Sequence, residues 1–163
     1  MNTLSINFSK CHYMLFSRKR VPPLNNFQIL INDKKIKNVT CTNFLGILIN
    51  NKLNWKNHVD YLVSKVNKYR AIIFLIRNNL TKNSLKLIYH SLVYSNILNG
   101  NVIWGKSNLT TLNPLIIAQK KLIRTIMFRD RYAHTNDDFY SLGILKLVDV
   151  NIFASCVFTF KSV

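Results

Sequence analysis

At 163 residues, 48% of them apolar, the chain is one ordinary globular domain or part of one, and its composition argues against intrinsic disorder. Its net charge is +17, from 23 Lys and Arg against six Asp and no Glu, which points to an anionic partner, first of all nucleic acid. Frequent Asn, Lys, Ile, Tyr and Phe also fit an A/T-rich coding sequence, which accounts for part of the lysine excess but not for the missing Glu.

The three cysteines, Cys11, Cys41 and Cys156, are widely separated. That spacing argues against a disulfide framework and against a CxxC zinc site, and fits a reducing, intracellular setting, nucleus or cytoplasm left open. The start of the chain lacks a basic segment followed by an apolar one, so no secretory signal is read. Apolar runs such as Ala71–Ile76 are bounded by Arg70 and Arg77 and fall short of the ~18 residues of a membrane span. No membrane partner is expected.

The first fifty residues read as strands. Leu4 to Phe8 alternates with period two, and Tyr13 to Phe16 is a short apolar run. Pro22-Pro23 breaks what precedes it. Phe27–Ile31 and Lys34–Ile36 flank Asn32-Asp33 as a hairpin. Val39 to Ile49 is the last strand, with Gly46 inside it marking a bulge or a close approach by another backbone.

After that point the period becomes helical. Asn54 is the expected N-cap, and Val59, Leu62, Val66, Tyr69, Ile73 and Ile76 then form one stripe. Thr81 is the next cap, and Leu85, Ile88, Leu92 and Val93 carry a helix toward Tyr94. Gly100 and Gly105 bracket a break. A third helix runs from about Leu112 to Met127. Leu115, Ile116, Gln119, Leu122, Ile123 and Ile126 lie on one side of it, with Lys120, Lys121 and Arg124 opposite, at about 100° per residue. A short helix follows Thr135-Asn136. Asp149 to Val163 is apolar and helical, lacks a stop signal and needs a partner surface. The fold class is α+β: short antiparallel strands over 1–53, then a helical region over 54–163, expected to be truncated at its C-terminus.

Candidate chemistry is sparse. The one adjacent acid pair, Asp137-Asp138, lacks apolar strands on both sides and reads as the first turn of a helix, where its dipole favours acids. His58 has no Cys or His at ligand spacing and reads as a capping or packing residue. No metal site is expected. Lys120, Lys121 and Arg124, then Lys65 and Lys68, suit phosphate contacts, which set affinity without reading sequence.

The order of several blocks resembles the reverse transcriptases of non-LTR retrotransposons of the jockey-like kind. The blocks are Phe44-Leu-Gly-Ile-Leu-Ile-Asn, Trp55-Lys-Asn-His58, Trp104-Gly105, Gln119-Lys-Lys-Leu-Ile-Arg124 and Asp138 to Leu147, and together they cover nearly the whole chain. The resemblance implies a palm-to-thumb fragment of an RNA-directed DNA polymerase, a nucleotidyltransferase of a transposable element. Its strands would end the catalytic palm and its helices would form the thumb. Phe44, Leu45 and Gly46 match the family's primer-grip segment, a reading compatible with their also being core strand residues. Lys10 matches a lysine thought to donate a proton to departing pyrophosphate, although Cys11 replaces the threonine that usually follows it.

The implied partners are an RNA template, a DNA primer and upstream palm and fingers segments of the same polyprotein. Magnesium is expected for the intact parent enzyme but has no site in this chain, so the chain is expected to be inactive alone. The alternative is a stand-alone basic module that binds RNA or an RNA–DNA hybrid without enzyme activity.

Overall fold

The structure, a computed structural model, describes residues 7–16 and 28–161. The start of the period-two alternation, Leu4 to Ile6, the Pro22-Pro23 break and Phe27 lie outside the described residues. The fold is α+β, and the chain divides into two compact units, Met1–Asn54 and Trp55–Val163.

Among the described residues, the first unit holds three separate two-stranded ladders. Strand β1 (His12–Tyr13) follows a 3-10 turn at Phe8–Lys10. It pairs with β4 (Lys37–Asn38) in parallel, unlike the antiparallel strands expected over 1–53. Strands β2 (Leu30–Ile31) and β3 (Lys34–Lys35) form the expected hairpin. Its two-residue turn puts Asn32 and Asp33 at φ 49° and 58°, a conformation these residue types tolerate.

Strands β5 (Cys41–Phe44) and β6 (Ile47–Asn50) correct the reading of one continuous strand. Gly46 is neither a bulge nor a point of backbone approach. It forms the hairpin turn with Leu45, at φ 86° and 50°, and its N–H donates to Asn43 Oδ1 at 3.0 Å. Phe44 and Leu45 are accordingly not core residues: they are 62% and 81% exposed at the hairpin tip.

In the second unit, α1 (Lys56–Ile76) buries Val59, Leu62, Val66 and Ile73, the predicted stripe. Its cap is Trp55, not Asn54. Asn54 is drawn instead into a turn around buried Asn50, whose Nδ2 donates to Asn54 Oδ1 at 2.6 Å while Asn54 N–H donates back to Asn50 Oδ1 at 3.0 Å. After a 3-10 turn at Arg77–Asn79, Thr81 caps α2 (Lys82–Ile88) by accepting from Ser84 N–H at 3.2 Å, as the sequence predicts. The rod continues through a π-helical stretch (Tyr89–Tyr94) into α3 (Ser95–Leu98), and breaks at Gly100, which is left-handed.

Gly105 follows α4 (Asn101–Trp104) with ordinary helical angles, and a Cβ there would meet Asn101 O at 2.6 Å and Asn151 Nδ2 at 2.5 Å. Asn151 Nδ2 donates to that same Asn101 carbonyl at 3.1 Å, so a bare glycine lets the α4 turn dock.

Helix α5 (Leu109–Ile126) starts a turn earlier than predicted and contains Pro114. Helix α6 (Asn136–Leu142) and α7 (Leu147–Lys161) follow, with left-handed Gly143 ending α6. On α7, Leu147, Val150 and Ala154 are buried, while Ile152, Phe153, Phe158 and Phe160 are exposed. No single helix among the described residues is long and apolar enough to cross a membrane, although α6 and α7, bent by 45° to each other, reach that length and composition together.

The core of this unit lies where α1 packs along α5 and the α2–α3 rod closes over them. Gln119, predicted on the apolar side of α5, is buried and fully used. Its Nε2 donates to Tyr89 Oη at 2.8 Å and to Leu145 O at 3.0 Å, and its Oε1 accepts from Leu147 N–H at 3.0 Å. Burial pushes the Tyr89 phenol up to about 12, so it stays protonated.

His58 is buried with its ring edge-on to Trp104, centroids 5.3 Å apart, which is the packing role its sequence context suggests. Burial, and then the Lys65 charge, hold its imidazole below the ordinary 6.5. The stability that neutral His58 contributes is present in full above 6.5 and is lost as pH falls through the lowered folded-state value. Urea midpoints at about pH 8 and about pH 5 should therefore fall on the acid side. A His58→Phe variant should show a smaller fall; an equal one would remove His58 as the cause.

Candidate nucleic-acid interface

Five arginines and one lysine of the second unit line one open cleft of about 480 Å³. It is lined by Arg70, Phe74 and Arg77 from the C-terminal half of α1 and its following turn, by Lys121, Arg124 and Thr125 from α5, and by Arg129 and Arg131 beyond. A neutral groove of about 370 Å³, lined by Val63, Asn67, Asn113 and Pro114 among others, shares Lys121 with it. Early residues of α1 thus face early residues of α5, and late face late. The two helices run in the same direction, and both end at the cleft.

The cations are held by neutral groups more than by acids. Arg77 Nη1 donates to Thr125 O at 3.1 Å, and its guanidinium carbon lies 4.5 Å from the ring centroids of both Phe74 and Phe128. Arg124 Nε donates to Ala133 O at 2.8 Å. Arg129 pairs with Asp138, Nε and Nη2 each 3.1 Å from Oδ1. Arg70 Nε and Arg77 Nε are buried without a hydrogen-bond partner among the described residues.

Of the residues predicted from sequence, Lys121 and Arg124 line this cleft. Lys120, on the same helix, is half-buried and does not line it. Lys65 Nζ donates to Asn96 Oδ1 at 2.9 Å and lies over the Tyr61 ring, tying α1 to α3. Lys68 is exposed outside the lining. Lys10 is exposed at the end of its 3-10 turn, and Phe44, Leu45 and Gly46 form the hairpin tip; these four belong to the first unit.

Arg70, Arg77, Arg129 and Arg131 were not singled out by sequence. A signal was there for two of them: Arg70, Phe74 and Arg77 recur at i, i+4 and i+7, one face of α1.

Asp137 and Asp138 do open α6, as predicted, but the dipole is not the whole account of Asp138. Its carboxylate is 2% exposed and bound to Arg129, whose side chain is 53% exposed. Among the described residues, Arg129 takes only Oδ1, Oδ2 is buried without a hydrogen-bond partner, and no group of three His, Cys, Asp or Glu is placed to hold a metal. What the arrangement can do is bind a polyanion. No protein-family model, curated protein or solved structure matches this chain.

Proposed function

We propose that this chain is a palm-to-thumb portion of a reverse transcriptase of the non-LTR, jockey-like retrotransposon type, and that its helical unit grips the backbone of the RNA template and DNA primer. The observation that carries the binding part is the cleft of five arginines and Lys121. The ordered blocks described above carry the family part. The exposed Phe44–Leu45 tip supports a contact to the primer, since two apolar side chains held in solvent suit a surface that is covered when substrate is bound.

Polymerisation uses two magnesium ions to clamp the attacking and leaving oxygens. The one adjacent acid pair, Asp137-Asp138, opens a helix and does not join two apolar strands, so this chain binds and does not extend. Lys10, exposed on its turn, is assigned the proton for departing pyrophosphate only within an assembly that supplies the carboxylates. The second reading is a stand-alone module binding RNA or hybrid duplex. It is favoured by one fact: the cleft is built entirely within the helical unit.

Filter binding of the purified chain to an RNA–DNA hybrid should show affinity falling linearly with log salt. The same chain with magnesium should extend no primer on an RNA template. Salt-independent or absent binding would overturn the grip, and extension would overturn the inactivity. An upstream reading frame encoding a Tyr-x-Asp-Asp hairpin separates the polymerase reading from the module.

A further inference from the structure

We infer that the cleft takes an unpaired single strand, with bases stacked on Phe74 and Phe128 and phosphates held by the arginines between and beside them. This rests on the nucleic-acid reading above and goes beyond it by choosing the single strand over the duplex.

The first observation is that one ring, Phe74, lines the charged cleft and a second, Phe128, lies against the same lining arginine, Arg77. Arg77 lies between the two rings and is anchored to Thr125 O, so both rings are backed on one face by a fixed cation. Phe74 is 56% exposed and Phe128 50%, which leaves part of each side chain open to solvent. Tyr132, also exposed, has the Arg131 guanidinium over its ring at 5.7 Å. Rings interleaved with cations are what a single-strand groove requires: each base offers a π-face to a ring while the backbone follows the charges. A duplex has its bases stacked within itself and would leave these rings unused.

The second observation is independent. Phe128 follows the end of α5 with φ 54°, in the left-handed region, where Arg129 N–H closes the turn onto Arg124 O at 2.9 Å. Glycine or asparagine is the ordinary occupant of such a position, and a bulky side chain is strained there. The strain places a half-exposed ring against Arg77. Strain of this kind persists where the surrounding structure fixes it, and it gathers at ligand sites.

The test uses the full chain and a short oligonucleotide carrying 2-aminopurine, single-stranded or annealed to its complement, at about 0.1 M salt. The single strand should bind about tenfold more tightly than the duplex, with a change in probe emission on stacking. Phe128→Asn keeps a residue that tolerates the left-handed turn and removes the ring. It should lose about tenfold in single-strand affinity and leave duplex affinity within about twofold. Phe74→Leu, on the regular helix, should do the same without touching the turn.

Equal single-strand and duplex affinities with unchanged emission would overturn the inference while leaving the nucleic-acid reading intact. So would wild-type single-strand affinity in both variants. Binding to neither probe would overturn both readings.

Discussion

Replacing Arg70, Lys121 and Arg131 together by glutamine should lower nucleic-acid affinity roughly one-hundred-fold or more at about 0.1 M salt, and flatten the log–log salt dependence by about two units or slightly more. The reason is counterion release: each phosphate neutralised contributes a slope of about 0.7 to 0.9, and three lining cations are removed at once. These three are chosen because the others have structural duties. Arg77 and Arg124 hold main-chain carbonyls, and Arg129 neutralises Asp138. Circular dichroism should therefore be unchanged in the triple variant. Lys68→Gln, outside the cleft, should weaken binding by no more than about the share of one diffuse charge. If Lys68→Gln costs as much per charge as the triple variant does, the whole basic surface binds and the cleft has no special part.

The largest effect on stability should come from Trp104→Ala. Trp104 is fully buried, its indole N–H donates to Asn99 O at 3.0 Å, and it receives the His58 ring on its side. Truncating a buried aromatic costs about 3–5 kcal/mol through lost burial and the cavity left behind. Total stability of a domain is about 5–15 kcal/mol, so the variant should unfold at much lower urea or not fold at all. Trp104→Phe, which keeps a ring and loses the indole donor, should cost less. A Trp104→Ala midpoint within experimental error of wild type would mean that α4 is not part of the cooperative core.

These two sites differ in how far the sequence revealed them. Trp104 falls between two glycines that read as breaks, and α4 does begin after one and end at the other; hidden from the sequence is that Gly105 also gives clearance to Asn101 and Asn151, a long-range contact no local pattern carries. The stripe on α1 and the Thr81 cap were legible because each depends on spacing within one helix. The Leu45–Gly46 turn was not, because leucine does not signal a positive φ and the apolar run continues through it. Phe128 hides a left-handed turn in the same way.

The cleft shows the same limit. Projecting α5 alone found Lys121 and Arg124 but also drew in Lys120. Arg70 and Arg77 enter only because α1 lies along α5, and Arg129 and Arg131 only because the chain beyond α5 turns back at Phe128. A helical wheel resolves angle about one axis, whereas this site is made where two axes end.

That shared ending has an electrostatic consequence. Helices running the same way bring the partial negative charges of two C-termini to one place, each equivalent to about half an elementary charge. Arg77 sits just past the end of α1 and bonds a last-turn carbonyl of α5, so it answers both. A chain without Glu therefore gathers six cations with one carboxylate, Asp138 on Arg129, and peptide dipoles as their counter-charges. Dipoles moderate the mutual repulsion without forming ion pairs that an incoming strand would have to break. The cleft can stay folded when empty and still meet its ligand with most of its charge unspent.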